Sequence, residues 1–191
     1  MKKLIKWILR ILFRDYQFNR IYFVDLPTSD AKFSGQMSGI ETIRLVESQE
    51  QFASSLDQQI RDHAWYFGKF AYVYGIYIGN ELVCVCSFWI AGHPNIPNRF
   101  SALIENEAVM VDLLTASNCR GKGYALAITR FAENDLFLKG YNRLWTWVWH
   151  SNTPSIRVFN KAGWNYSHLL LEFQLYGMRD YLRFKLPAWG G

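Results

Sequence analysis

Residues 109–132 read VMVDLLTASNCRGKGYALAITRFA. The apolar run up to Thr115 predicts a strand, Arg120-Gly121-Lys122-Gly123 a turn, and the residues from Tyr124 a helix. The glycines let the backbone approach a ligand closely and aim several N–H groups at one point. The start of the helix adds partial positive charge. Such an arrangement suits a pyrophosphate. It is not a Walker loop, since no G-x-x-x-x-G-K-[ST] occurs, and Leu126 stands where a dinucleotide fingerprint needs its third glycine. Taken alone, the stretch reads equally well as a plain glycine turn between strand and helix.

Working outward, residues 41–46 read as a strand. Ser48 with Gln51 forms a capping box that opens a helix over Gln49–His63, with Phe52, Leu56 and Ile60 on one face. Ala71–Ile78 and Glu81–Ile90 are β-rich runs joined by Gly79-Asn80, a hairpin signal. Arg143–Trp149 reads as an aromatic strand. Thr153–Lys161 reads as a short helix ended by Gly163. Ser167–Phe173 and Arg179–Leu186 are strand-like. Strands mixed with helices, and an early hairpin, imply an α/β fold around a mixed sheet.

A second stretch adds weight to the first. Residues 152–164 read NTPSIRVFNKAGW. Arg120-x-x-Gly123-x-Ala125 resembles the pyrophosphate signature of the GNAT superfamily of acyl-CoA N-acyltransferases, and Asn152 to Trp164 resembles that family's second motif. The resemblance covers about residues 41–186 and divides the chain into three parts. They are an N-terminal helix (1–20), a connecting segment (21–40) and a GNAT-like domain (41–191). It implies a mixed, mostly antiparallel sheet, flanked by helices, with a splayed gap between Ala108–Thr115 and Arg143–Trp149. It implies acetyl-CoA as co-substrate and a primary amine as acceptor; the aromatic side chains that could line a pocket, and a possible interfacial helix, point to an amino-sugar or another small molecule. Leu113, Leu114 and Thr115 would meet the pantetheine arm. The N–H groups of Arg120, Gly121, Lys122, Gly123, Tyr124 and Ala125 would hold the pyrophosphate. Asn152 would bond the arm from the far side of the gap, beside Phe159.

Position 159 is a tyrosine in many members of the family, placed to protonate the leaving thiolate, and phenylalanine cannot donate. Ser155 and Tyr166 are the candidate substitutes. For a base the chain offers Asp112, in an otherwise apolar strand where burial would raise its pKa. Glu107 and Glu105 lie at the entrance of that strand, and His93 and His150 are further candidates. Trp145, Trp147 and Trp149 share one face of their strand and either pack a core or line an acceptor pocket. The same choice holds for Trp65, Tyr66 and Phe67. The competing functional reading is a catalytically silent acyl-CoA-binding module recruited to a membrane.

The net charge of +5 is misleading. Residues 1–20 carry six basic groups and one acid, so residues 21–191 hold 15 of each and are neutral. A phosphate-tracking basic domain is thereby disfavoured, and no nucleic-acid partner is expected. At about 100° per residue, Lys2, Lys3, Lys6, Arg10 and Arg14 form one face of an amphipathic helix whose other face is apolar. Such a helix lies on an anionic membrane through residues 1–14, or packs on its own domain or a second subunit. A homodimer is left open. Three cysteines without framework spacing fit a cytoplasmic setting, with peripheral contact on the inner membrane face. Four scattered histidines offer no metal constellation.

Overall fold

The computed structural model describes residues 12–27 and 39–188. Eight strands form one sheet: β1 (Phe13–Asp25), β2 (Glu41–Leu45), β3 (Ala71–Ile78), β4 (Glu81–Ile90), β5 (Glu107–Thr115), β6 (Arg143–Trp149), β7 (Asn165–Leu175) and β8 (Leu182–Pro187). The helices are α1 (Gln58–Asp62), α2 (Tyr124–Leu138) and α3 (Thr153–Ala162). The strand order is β2-β3-β4-β5-β6-β1-β7-β8. Every neighbouring pair is antiparallel except β5–β6.

Local chemistry accounts for most boundaries. Gly79 takes φ +58 in the β3–β4 turn, a left-handed conformation that costs glycine little. The Asn152 side chain accepts from the Ser155 N–H and caps α3. Pro154 sits in its first turn, and Gly163 ends it at φ +87. α2 and α3 bury Ile128, Ala132, Leu136 and Phe159 against Tyr22, Met110, Leu144 and Val148 of the sheet. On the opposite face, which we call the loop face, Ile21, Trp89, Val109 and Leu170 pack under Phe100 and beside Trp145 and Trp147.

The expected helix over 49–63 is broken in two. Residues Gln49–Ser54 form a 3-10 turn, and Ser48 makes no side-chain cap. Gln51 Oε1 instead accepts from the Glu47 N–H and the Tyr77 hydroxyl. Asp57 then caps α1 by accepting from the Gln59 N–H at 2.9 Å, and it takes the Ser117 N–H at 2.8 Å and hydroxyl at 3.0 Å. These bonds hold its carboxyl below the usual range, the Ser117 backbone bond most of all. They also stop the first helix, and Leu56 is left exposed.

A larger correction concerns the N-terminus. Residues 1–11 and 28–38 lie outside the described residues, but the expected helix over 1–20 does not hold from Phe13 on, nor does the expected connection over 21–40 begin at Ile21. Phe13–Asp25 is a strand inside the sheet, paired along Asn19–Asp25 with β6 and along Phe13–Phe23 with β7. Its polar residues alternate. Asp15, Gln17 and Asn19 point to the loop face, where they are bonded: Tyr181 donates to Asp15 at 2.6 Å and Arg99 to Gln17 at 3.0 Å. Period two thus replaces the helical period that reads through Arg14.

A bulge also matters. Ser87 faces Asp112 while Phe88 faces Met110, so Val111 is the extra residue. Asp112 is therefore turned to the side of Ser87 and Trp89, the loop face.

Because β1 joins β6 to β7, a chain beginning at residue 40 is expected to show no cooperative thermal transition by circular dichroism. Tyr22 is 1% exposed, so Tyr22→Ala in the full chain is expected to cost about 3–5 kcal/mol by denaturant titration.

Candidate active site

The parallel pairing of β5 with β6 runs only from Glu107↔Arg143 to Met110↔Thr146. At its last rung the Thr146 hydroxyl donates to the Met110 carbonyl at 3.1 Å. Beyond it lies a cavity of about 160 Å³ lined by Asp112, Leu113, Trp147, Trp149, Asn152 and Ser155, among others. On the side of α2 and α3, a groove of about 620 Å³ runs past Leu113, Leu114, Thr115, Arg120, Gly121, Gly123, Tyr124 and Ala125. Leu113, Asn152 and Ser155 line both spaces. One passage thus leads from the glycine turn into the strand gap.

The turn is shaped for an anion. Gly121 and Gly123 sit at φ +80 and +82, with nothing within 4 Å of where a side chain would begin. No side chain caps the N-terminus of α2, so its first N–H groups face the groove. Arg120, Arg157 and Lys161 also line the groove. The last two are four residues apart on α3 and share a face. The donor set fits a pyrophosphate.

The residues expected from sequence divide clearly. Leu113, Leu114, Thr115, Arg120, Gly121, Gly123, Tyr124, Ala125 and Asn152 come together along the groove. Lys122 is exposed on the turn and does not line it. Phe159 is buried, with its ring 5.9 Å from Tyr22 and 5.1 Å from Trp164. It backs the strand gap rather than the groove. Asp112 and Ser155 reach the gap. Glu107 does not, since it pairs opposite Arg143 at the closed end of β5, five residues or about 15 Å from Asp112 at strand rise. Among the other bases, His93 stacks on Trp89 at 4.0 Å, and burial holds it below its ordinary range. His150 gives its backbone N–H to the Phe18 carbonyl. Tyr166 packs on Tyr22 beneath Arg20.

Asp112 is not isolated among apolar groups as expected. Its Oδ2 lies 2.9 Å from His63 Nδ1. A carboxylate can only accept, so Nδ1–H donates and Nε2 keeps its lone pair. The hydrogen bond and charge of Asp112 raise the His63 pKa above its ordinary 6.5, against the opposing effect of partial burial. Tyr66 packs at 5.4 Å from the imidazole. Burial, with the nearby Asp112 charge, pushes the Tyr66 phenol up to about 12. Trp65 and Trp89 complete an aromatic wall around Tyr66. Sequence reasoning missed His63, which is 49 residues from Asp112, and also missed Arg157 and Lys161. The spacing of Arg157 and Lys161 inside the second motif could have revealed them. No group of three or more metal-binding side chains occurs among the described residues.

The fold and site define an acyltransferase-type α/β domain. The Acetyltransferase (GNAT) family model matches residues 40–164, more than half of the chain, and the chain belongs to that family. No curated protein is similar enough in sequence to match. A putative GNAT acetyltransferase structure from Novosphingobium aromaticivorans superposes with a TM-score of 0.57 at 15% identity, over 83% of this chain and 64% of that one. A Colwellia psychrerythraea GNAT acetyltransferase gives 0.59 at 11% identity, over 90% of this chain and 61% of that one. The Escherichia coli ribosomal-protein-S18-alanine N-acetyltransferase gives 0.52 at 14% identity, over 78% of this chain and 96% of that one. At such identities the likeness is one of fold. The chain spans less than two thirds of the length of the first two. β1 lies outside the matched residues 40–164.

Gly123→Glu would aim a charged side chain into the groove and strain a residue at φ +82. Isothermal titration with coenzyme A is expected to show binding weakened by about tenfold or more, while the thermal transition remains cooperative.

Proposed function

We propose that the chain is an N-acetyltransferase that moves the acetyl group of acetyl-CoA to a primary amine, an amino-sugar or another small acceptor. The observation that carries this reading is the continuous passage from the glycine turn to the strand gap, with the His63–Asp112 pair at its far end.

Acetyl-CoA supplies an activated thioester. Unpaired backbone groups of β5 beyond Met110 would align the arm and offer an N–H to the carbonyl oxygen as charge develops. His63 would act as base, its Nε2 taking a proton from the attacking amine while Asp112 fixes the tautomer. Ser155 lines both spaces near the start of α3. Its hydroxyl and the positive helix end would face the departing thiolate, in place of the donor that Phe159 lacks. Thiolates leave readily, with ordinary pKa values near 8.5, so strong acid assistance is not required.

A second reading, recruitment to an anionic membrane through residues 1–14, is favoured by one exposed row. Leu182, Phe184 and Leu186 are 40%, 53% and 44% exposed on one face of β8. Their neighbour Phe173 touches Phe13, where β1 begins. No described helix is long and apolar enough to cross a membrane. Deleting residues 1–11, which leaves β1 intact, is expected to reduce co-sedimentation with phosphatidylserine vesicles. Equal binding by both forms would remove this reading.

The catalytic reading has a pH signature. Neutral His63 is the working base, so kcat/KM is expected to rise with pH through its raised pKa. Asp112→Asn removes the cause of that rise, so the acidic limb is expected to move to lower pH, toward 6.5. His63→Ala is expected to lower kcat by about 10²–10⁴-fold while leaving coenzyme A affinity unchanged. Unaltered kcat in His63→Ala would exclude it as the base.

A further inference from the structure

A second cavity, of about 380 Å³, lies on the loop face between the sheet and the segment 98–103. Ile21, Trp145 and Leu170 form its sheet side, and Phe100 and Leu103 close it from above. Its other rim is basic. Arg183 and Lys185 alternate along β8 with the exposed row and point the other way, opposite Glu172 and Leu170. Arg99 and Arg183 share a single carboxylate, Glu172, each at 3.0 Å. Lys185 has no ion-pair partner among the described residues. Three cations against one acid leave a surplus of positive charge at this end. Glu172 lies behind the two arginines and is not part of the lining, and Glu107, the acid in the lining, sits at the far end opposite Arg143. Burial, then the Lys185 ammonium, hold the His168 imidazole below its ordinary range, so it adds no charge at neutral pH.

Arg99 connects this cavity to the strand gap. Its guanidinium lies 5.2 Å from the centre of the Trp147 ring, and Trp147 lines the gap together with Asp112. Trp147 thus lies against a residue of each space, lining the gap on one side and touching Arg99 of the cavity lining on the other.

We propose that this cavity takes the far end of the acceptor, and that the acceptor is an amine whose remote end is an apolar group carrying an anion, a carboxylate or a phosphate. This rests on the acetyltransferase reading. Arg99 is the wrong residue to change, because Glu172 is 2% exposed and would lose a buried partner. Lys185→Glu reverses charge on the rim, and Leu103→Trp fills the space.

The first arm titrates the full chain with anilinonaphthalene sulfonate, an apolar aromatic anion. Saturable fluorescence is expected, with Kd raised about tenfold by either substitution. Kd should not change in Phe184→Ser, which alters the opposite face, or on adding coenzyme A. The second arm measures thiol release from acetyl-CoA with ω-aminooctanoate, aminohexyl phosphate and octylamine. Lys185→Glu is expected to raise KM about tenfold for whichever anionic amine the wild type prefers, with kcat and the octylamine KM unchanged. The preferred anion identifies carboxylate or phosphate. Unchanged Kd in both cavity variants, or an equal rise in KM for octylamine, would overturn the proposal. Thiol release with none of the amines would sink the catalytic reading and the acceptor as occupant. The titration would still decide whether the cavity takes an apolar anion.

Discussion

Where β5 and β6 part, the Thr146 hydroxyl donates to the Met110 carbonyl at 3.1 Å and closes the last shared rung. Past that point the two strands have no common ladder. Unpaired backbone polar groups are costly when buried and are ordinarily matched. Here they border the groove, where a ligand can satisfy them. The gap is held open from both sides. The Val111 bulge turns β5, and Asn152 and Ser155 from the capped first turn of α3 line the gap.

The strand that holds β6 in place comes from outside the family's matched region. β1 pairs with β6 through seven register positions and with β7 through ten. It buries Tyr22 against Phe159. Phe159 and the N-terminal strand thus pack as one unit. An aromatic side chain without a hydroxyl fits a site 2% exposed, where a phenol would need a partner.

Much of this was legible in the residues. The Gly79-Asn80 turn between two β-rich runs gave the hairpin, and alternating tryptophans gave Arg143–Trp149. The two motifs located the groove with the strand gap between them. β1 was not legible, because Asp15, Gln17 and Asn19 point to the loop face, where Asp15 and Gln17 find partners on the distant Tyr181 and Arg99 and Asn19 donates to Gln17. Their polarity hid the apolar alternation, and bulges beside Arg14 and Ser167 disturbed it further. Asp57 acts similarly, with a bond to Ser117 sixty residues away ending the helix that local spacing predicts. His63 carried no local signal at all, since its contact with Asp112 spans 49 residues.

The central claim is that the glycine turn and the open edge of β5 bind one continuous ligand. Amide hydrogen exchange of the full chain, with and without coenzyme A, tests this most directly. The account predicts slowed exchange together at Leu113–Thr115 and Gly121–Leu126, with residues 98–103 unchanged. Protection confined to another surface, or absent from both stretches at saturating coenzyme A, would contradict it.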